Sequence, residues 1–368
     1  MYKPNKQFPF ISLNSLFGVG VERTKEILNV NPTVPSSRED AKEVRVTIFD
    51  YSAEFLDEFQ SNSVEGCQRF NNNEHITWIN VDGLSKKDVE SLASQFGIHS
   101  LLVEDILSIN QRPKMDELEG VLFCVLNMLY FNKQNKTVET EQISIVLGKD
   151  FVISFQEDPT RDVFDPIRHK LRTQGSNIRL KKSDYLLYSM IDLIVDNYFS
   201  VMEHLSDEIE FLEEELIRRS TKRSLVKINM VRKELIVLKR NIAPVRDLVN
   251  GYIRSESDLL EDRTTKYFKD VYDHISQAQD LSENYRDMMM SMQDLYINNV
   301  NLRMNEVMKV MAVVTCLMAP ATVIGGIFGM NFEVIPFAHQ QLGFYSTVGA
   351  MIFIPMIMLI IFKRRGWF

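Results

Sequence analysis

Two long apolar stretches near the end of the chain constrain its fold more than any other feature. Residues 311–328 contain no charged side chain, and a second apolar run covers residues 342–362. Each run is long enough to cross a hydrocarbon core of about 30 Å as a helix. Because the chain before them is largely polar, the sequence predicts a water-soluble body followed by two membrane-spanning helices.

The distribution of basic residues predicts how these spans are oriented. Arg303 and Lys309 precede the first span and residues 363–365 (Lys-Arg-Arg) follow the second, whereas the connecting loop 329–341 contains no lysine or arginine. The positive-inside rule then places both termini and the body in the cytoplasm and the loop outside. We expect a multi-pass protein of the cytoplasmic (inner) membrane, without a signal peptide at its start.

The overall charge indicates what the soluble body can bind. The net charge of −8 disfavours nucleic acid, which attracts basic surfaces, and favours cations. The three cysteines are odd in number and far apart, so we expect a reducing compartment and no disulfide framework.

Residues 1–180 are predicted to form a cytoplasmic α/β domain after a loosely ordered start. Short β-rich runs alternate with helical patterns, and the last two strands are close enough to form a hairpin. The predicted strands are 44–50, 76–82, 121–131, 141–148 and 151–155; the predicted helices begin at Ser85, 100 and 162.

Residues 181–257 are predicted to form an antiparallel helical hairpin whose second helix, about 225–241, ends before Pro244. The next segment, 258–328, would be one helix of about 100 Å that continues into the first span. Such a helix cannot bury its own apolar face, so we expect an oligomer with this helix near the symmetry axis. The loop 329–341, the second span 342–362 and the basic tail 363–368 complete the chain.

One face of the long helix is unusually polar or small for a membrane span. Its members follow helical spacing: Asn305, Met308, Met311, Thr315, Ala319, Thr322 and Gly326. Facing a shared axis, this stripe could line a pore with a methionine constriction. Alternatively, Thr315 and Thr322 bond back to their own helix and the small residues pack against the second span.

The triplet Gly329-Met330-Asn331 at the end of the first span resembles the signature of the CorA family of magnesium and cobalt channels. Four further segments carry the same resemblance, in the same order. They are 102–107 with 111–113 (LVEDIL and QRP), 267–274 (YFKDVYDH), 304–310 (MNEVMKV) and 363–367 (KRRGW).

This resemblance implies a funnel-shaped homopentamer in which five copies of the long helix line a pore for Mg²⁺ and Co²⁺. It implies that Gly329, Met330 and Asn331 form the selectivity filter, where amide oxygens would hydrogen-bond the waters that Mg²⁺ gives up reluctantly. The hydrophobic constriction is expected between Asn305 and Met311.

The resemblance also implies regulation by cytoplasmic Mg²⁺. Asp105 and Asp270 match a pair of carboxylates that bind the ion between neighbouring protomers, and Glu104 and Asp192 match weaker neighbours. Asp294 matches an acidic ring at the inner mouth, where it would concentrate cations. Mg²⁺ is then both the transported and the regulatory ion, and no other cofactor is implied.

Two other functions stay open at the level of sequence. One is a Zn²⁺ or Co²⁺ transporter of the same superfamily, and the other is a membrane-anchored cation sensor that does not conduct. The sequence contains no credible catalytic set, so we do not expect an enzyme.

Overall fold

The computed structural model describes residues 41, 43–71, 74–109, 111–158, 161–330 and 341–367. The predicted loose start and most of the loop 329–341 therefore lie outside the described residues. The chain divides into two compact units, Met1–Ser291 and Met292–Phe368.

A seven-stranded mixed sheet forms the centre of the first unit. The strands lie in the order β2-β1-β3-β7-β6-β5-β4, and only β3 and β7 pair in parallel. Their bounds are β1 Arg45–Tyr51, β2 Leu56–Ser61, β3 Ile76–Asp82, β4 Lys114–Leu118, β5 Val121–Asn132, β6 Thr137–Leu147 and β7 Phe151–Gln156. The predicted hairpin of β6 and β7 is confirmed by their antiparallel register, in which Leu147 is opposite Val152.

Eight α-helices, besides a short 3₁₀ turn at Cys67–Phe70, surround or follow the sheet in the described part of the chain. They are α1 Lys86–Phe96, α2 Ser100–Leu107, α3 Asp165–Arg172, α4 Asn177–Leu180, α5 Ser183–Arg218, α6 Lys222–Arg254, α7 Asp262–Phe328 and α8 Gln341–Arg364. The side chains of each strand alternate between faces, so one strand supports two cores. Phe123 packs in the core with α1 and α2, whereas the side chain of the next residue, Cys124, lies beside Tyr252 of α6.

Two strands, β2 and β4, were not predicted from the sequence. They are the two edge strands of the sheet, and every residue of both is at least partly exposed. An edge strand that is only partly buried can carry charged side chains, which weakens the apolar alternation used to recognise strands. Lys114, Asp116 and Glu117 dilute the pattern of β4 in this way.

The prediction that Pro244 ends the second hairpin helix is wrong. Helix α6 continues to Arg254 with Pro244 inside it, and Pro244 is buried. Proline removes one backbone hydrogen bond and costs about 3 kcal/mol in a helix interior. Val245, Leu248 and Tyr252 beyond it are buried, so packing of the following two turns outweighs that cost.

Helices α7 and α8 carry the apolar stretches. Both are long and apolar enough to cross a membrane, and almost none of either apolar window is buried within the chain. Helix α7 has 67 residues, close to the predicted 258–328, and α8 has 24 residues. Each contains one proline, Pro320 and Pro355.

Candidate cation sites and the membrane helices

A three-residue cluster in the first unit offers ligands for a metal ion. One carboxylate oxygen each of Asp192 and Asp196 and one ring nitrogen of His274 lie within 4.8 Å of one another. The two aspartates are one turn apart on α5, which puts them on the same face of the helix. The Nδ1 atom of His274 is 3.9 Å from Asp196 Oδ1 and makes no hydrogen bond.

Aromatic packing holds α7 against α5 next to this cluster. Tyr267 of α7 lies 5.3 Å from Tyr185 and 5.1 Å from Tyr188 between ring centroids. At the start of α7, the Glu261 backbone N–H donates to Asp184 Oδ2 at 2.9 Å. These contacts fix the register of the two helices, so the side chains one to two turns further on meet as the cation cluster.

The Asp192 carboxyl is in an environment that disfavours its charge. Burial raises its pKa, and the negative charges of Asp196 and Asp270 raise it further; a hydrogen bond from Tyr188 Oη, at 3.3 Å, and His274 act in the opposite direction. A cation bound here would relieve both the desolvation and the repulsion. The site therefore has an electrostatic reason to bind a positive ion.

Of the four predicted regulatory acids, Asp192 and Asp270 are brought into electrostatic contact within the protomer. Sequence analysis did not assign Asp196 and His274 to the site. The available signal was helical spacing, since Asp196 is four residues after Asp192 and His274 four residues after Asp270.

Asp105 is already engaged inside the protomer. Lys114 Nζ donates to Asp105 Oδ2 at 2.6 Å, and Gln111 Nε2 donates to Oδ1 at 3.2 Å. Burial opposes the charge of Lys114, but its hydrogen bonds to Asp105 and Asp116 outweigh that effect and raise its pKa. The neighbouring Glu104 is exposed. The predicted pairing of Asp105 with Asp270 involves a second protomer and stays a prediction.

In the second unit, the polar stripe of α7 lies opposite the face that packs against its own chain. All seven residues of the stripe, from Asn305 to Gly326, are exposed. The residues of the apolar part that are buried or partly buried are Val313, Leu317, Pro320, Ala321 and Ile324. At about 100° per residue, the centres of the two faces are roughly 170° apart.

The threonines of the stripe also make the local bonds considered as the alternative. Thr315 Oγ1 donates to the Met311 carbonyl and Thr322 Oγ1 to the Met318 carbonyl, both at 2.9 Å. The other part of that alternative, packing of the small residues against the second span, does not occur within the protomer, where Ala319 and Gly326 are exposed. A back-bonded hydroxyl keeps its lone pairs free to accept a hydrogen bond from water.

The end of α7 reaches the predicted filter. The Gly329 N–H donates to the Gly325 carbonyl at 3.0 Å, and a Cβ at Gly329 would lie 3.1 Å from that oxygen, so a larger residue is disfavoured here. Met330 is exposed, while Asn331 lies outside the described residues. Asp294, the predicted inner-mouth acid, is exposed on α7.

Together, these features define a class of protein: an α/β body with a candidate carboxylate cation site, followed by two C-terminal helices long and apolar enough to span a membrane. The family model described as "CorA-like Mg2+ transporter protein" matches residues 73–364. The chain belongs to this CorA family.

Relatives match over most of their length. The cobalt/magnesium transport protein CorA of Thermotoga maritima is 38% identical over 327 residues, which cover 89% of this chain and 93% of that protein. A putative metal ion transporter of Bacillus subtilis is 33% identical, with 80% of this chain and 91% of the relative covered.

Solved structures share the fold. The complete structure of the CorA magnesium transporter of Methanocaldococcus jannaschii matches with a TM-score of 0.74 at 23% identity, covering 88% of this chain and 98% of that one. The full-length CmaX protein matches with a TM-score of 0.66 at 15% identity, covering 89% and 100%.

Proposed function

We propose that this protein is a channel that carries Mg²⁺ and Co²⁺ into the cell across the cytoplasmic membrane. It acts as a homopentamer in which α7 of each protomer lines the pore. The observation that carries the proposal is the uncovered polar stripe of α7, opposite the face that packs within the chain. A lipid-facing helix gains nothing from such a stripe, whereas five copies around an axis form a path that water can wet.

The filter of this channel is Gly329-Met330-Asn331. Amide oxygens bind hydrated Mg²⁺ through its waters and more weakly than carboxylates would, which suits an ion that must also leave. The closed state is set by cytoplasmic Mg²⁺ bound between protomers by Asp105 and Asp270, with Glu104 and Asp192 nearby. The ion shifts the population toward the closed ring by binding it better than the open one.

The experiment is Mg²⁺ flux into proteoliposomes loaded with a fluorescent Mg²⁺ indicator. The native chain is compared with Asn331→Ala and with Asn229→Ala, an exposed asparagine on α6. We expect Asn331→Ala to abolish flux and Asn229→Ala to leave it unchanged. Normal flux through Asn331→Ala would refute the filter, and absence of flux through the native chain at any Mg²⁺ concentration would favour the non-conducting sensor.

One observation favours the transition-metal alternative, in which the protein carries Co²⁺ or Zn²⁺. His274 supplies an imidazole to the Asp192–Asp196 cluster, and imidazole is a ligand for Co²⁺ and Zn²⁺ rather than for Mg²⁺. Flux measured with Mg²⁺, Co²⁺ and Zn²⁺ in competition decides between the two. If Mg²⁺ does not reduce Co²⁺ or Zn²⁺ flux at millimolar concentration, the transition-metal function is the correct one.

A further inference from the structure

The second membrane helix ends in a folded cap rather than in a free basic tail. The Gly366 N–H donates to the Lys363 carbonyl at 3.2 Å, and the Trp367 N–H donates to the Phe362 carbonyl at 3.0 Å. Gly366 has a φ of 72°, which only glycine adopts readily. This is the Schellman arrangement, and its apolar contact is present because the rings of Trp367 and Phe362 stack at 5.2 Å.

A hydrogen bond ties this cap to the first membrane helix. Lys309 Nζ on α7 donates to the Gly366 carbonyl at 3.2 Å. An ammonium group has three donors, so Lys309 keeps two for another partner. The bond places Lys309 at the same end of the helix pair as Lys363, Arg364 and Arg365.

We call Lys309, Lys363, Arg364, Arg365 and Trp367 the basic cap. All five are exposed, and in the described part of the chain none of its four cations is ion-paired with a carboxylate. The second unit, Met292–Phe368, contains three acidic residues, Asp294, Glu306 and Glu333, against five lysines and arginines. It therefore keeps a net positive charge, which lies mostly in the cap.

The position of the basic cap at the end of a membrane span indicates which kind of ligand its positive charge would meet. The cap begins where the apolar run of α8 ends, and a tryptophan at such a border sits at the level of the lipid headgroups. Clusters of lysine and arginine beside a span attract anionic lipids. Guanidinium groups also form paired hydrogen bonds to phosphate oxygens.

We propose that the basic cap binds the phosphate headgroup of an anionic phospholipid in the adjoining leaflet. The Schellman turn holds Trp367 against Phe362, and the hydrogen bond to the Gly366 carbonyl holds Lys309 beside the turn. Lys363, Arg364 and Arg365 supply most of the positive charge. The proposal requires that α8 crosses the membrane, and it does not require that the chain conducts ions.

The test uses Trp367 as a reporter in the full chain reconstituted into phosphatidylcholine vesicles that contain phosphatidylglycerol. Bromine is placed either on the phosphatidylglycerol or on an equal mole fraction of the phosphatidylcholine, and quenching of tryptophan fluorescence is compared. The other tryptophan, Trp78, is fully buried in the sheet and gives a constant background. Trp367→Phe identifies the part of the quenching that the reporter contributes.

We expect brominated phosphatidylglycerol to quench at least about twofold more than brominated phosphatidylcholine. The triple variant Lys363→Gln, Arg364→Gln, Arg365→Gln should remove this excess. The control triple variant Arg219→Gln, Lys222→Gln, Arg223→Gln, which changes exposed cations just before and at the start of α6, should keep it. Lys309→Gln should halve the excess, roughly, and tests the site if the triple variant fails to insert.

Two results would overturn the proposal. Equal quenching by the two brominated lipids in the native chain would mean that the cap has no preference for anionic headgroups. An excess that persists undiminished in the triple variant Lys363→Gln, Arg364→Gln, Arg365→Gln would mean that the preference for anionic lipid does not come from the cap.

Discussion

Lys114 Nζ lies 2.6 Å from Asp105 Oδ2, so the predicted regulatory aspartate already has a cation within its own protomer. Lys114 also lies 3.0 Å from Asp116. A divalent ion that binds Asp105 must displace this lysine or share the carboxylate with it. If Mg²⁺ binds Asp105 as proposed, the internal ion pair competes with the ion and lowers its apparent affinity for that carboxylate.

Replacing the competitor should make the protein more sensitive to Mg²⁺. We expect Lys114→Gln to lower the Mg²⁺ concentration for half-maximal protection from chymotrypsin by about fivefold, as for an ion pair worth about 1 kcal/mol. Lys86→Gln, which removes an exposed lysine of α1 paired with Glu90, is the matched control. An unchanged midpoint in Lys114→Gln would remove Asp105 from the ion-binding groups.

His274 should discriminate between metals. Because imidazole binds Co²⁺ well and Mg²⁺ poorly, His274→Ala should weaken Co²⁺ binding on the order of tenfold and leave Mg²⁺ binding nearly unchanged. Titration calorimetry of the full chain with each ion measures both. His169→Ala, an exposed histidine on α3, serves as control. Equal losses for the two ions would mean that His274 acts only through packing.

The negative charge of Asp192 should have opposite effects on two properties. It should lower the stability of the ion-free protein and strengthen the binding of a cation. Its pKa is raised in the folded state, chiefly by burial, so its ionisation destabilises the fold above that pKa, and lowering the pH through it restores stability. In chelator at pH 7, Asp192→Asn should raise the unfolding temperature by about 2 °C. The gain over the native chain should shrink as the pH falls.

The same variant should gain less stability from added Mg²⁺, because it has lost a ligand. Thermal unfolding of the full chain in detergent, with and without Mg²⁺, gives both values. Asp207→Asn, an exposed aspartate on α5, should change neither. A variant that is destabilised in chelator, or that responds to Mg²⁺ like the native chain, would contradict the site.

The orientation of α7 can be tested with thiol reagents. In a Cys316→Ser background, Thr315→Cys lies on the polar stripe, and Val314→Cys is exposed but about 110° from the centre of the stripe. A membrane-impermeant methanethiosulfonate should modify Thr315→Cys and reduce Mg²⁺ flux at least about fivefold. In the proposed pentamer, each of the five protomers would add one bulky group to the same pore. Val314→Cys should keep its flux, and equal block of both variants would place the stripe elsewhere.

Much of this architecture could be predicted because its signals are local. The strand at 76–82 and the two apolar helices depend on hydrophobic content within a single segment, and the structure has them close to where they were predicted. Edge strand β4 and the continuation of α6 past Pro244 depend on contacts with residues that are distant in sequence. Such contacts cannot be predicted from the hydrophobic pattern of a single segment.

The candidate site divides in the same way. Asp192 and Asp270 were predicted from a family resemblance, and the structure places their charges near each other. His274 was not assigned from the sequence, because a histidine becomes a candidate ligand only when packing brings a second helix opposite it. The hydrogen bond from Lys114 to Asp105 was missed for the same reason, since it joins an edge strand to α2.

Helix α7 contains neither glycine nor proline from Asp262 to Ala319, a run that includes the segment beside the cation cluster and enters the membrane span. A rod of this kind resists bending, because each turn is braced by its own hydrogen bonds. Sharp kinks in helices occur mostly at proline, and Pro320 is the first proline of α7, so a change in the direction of the helix axis is expected there before any earlier position.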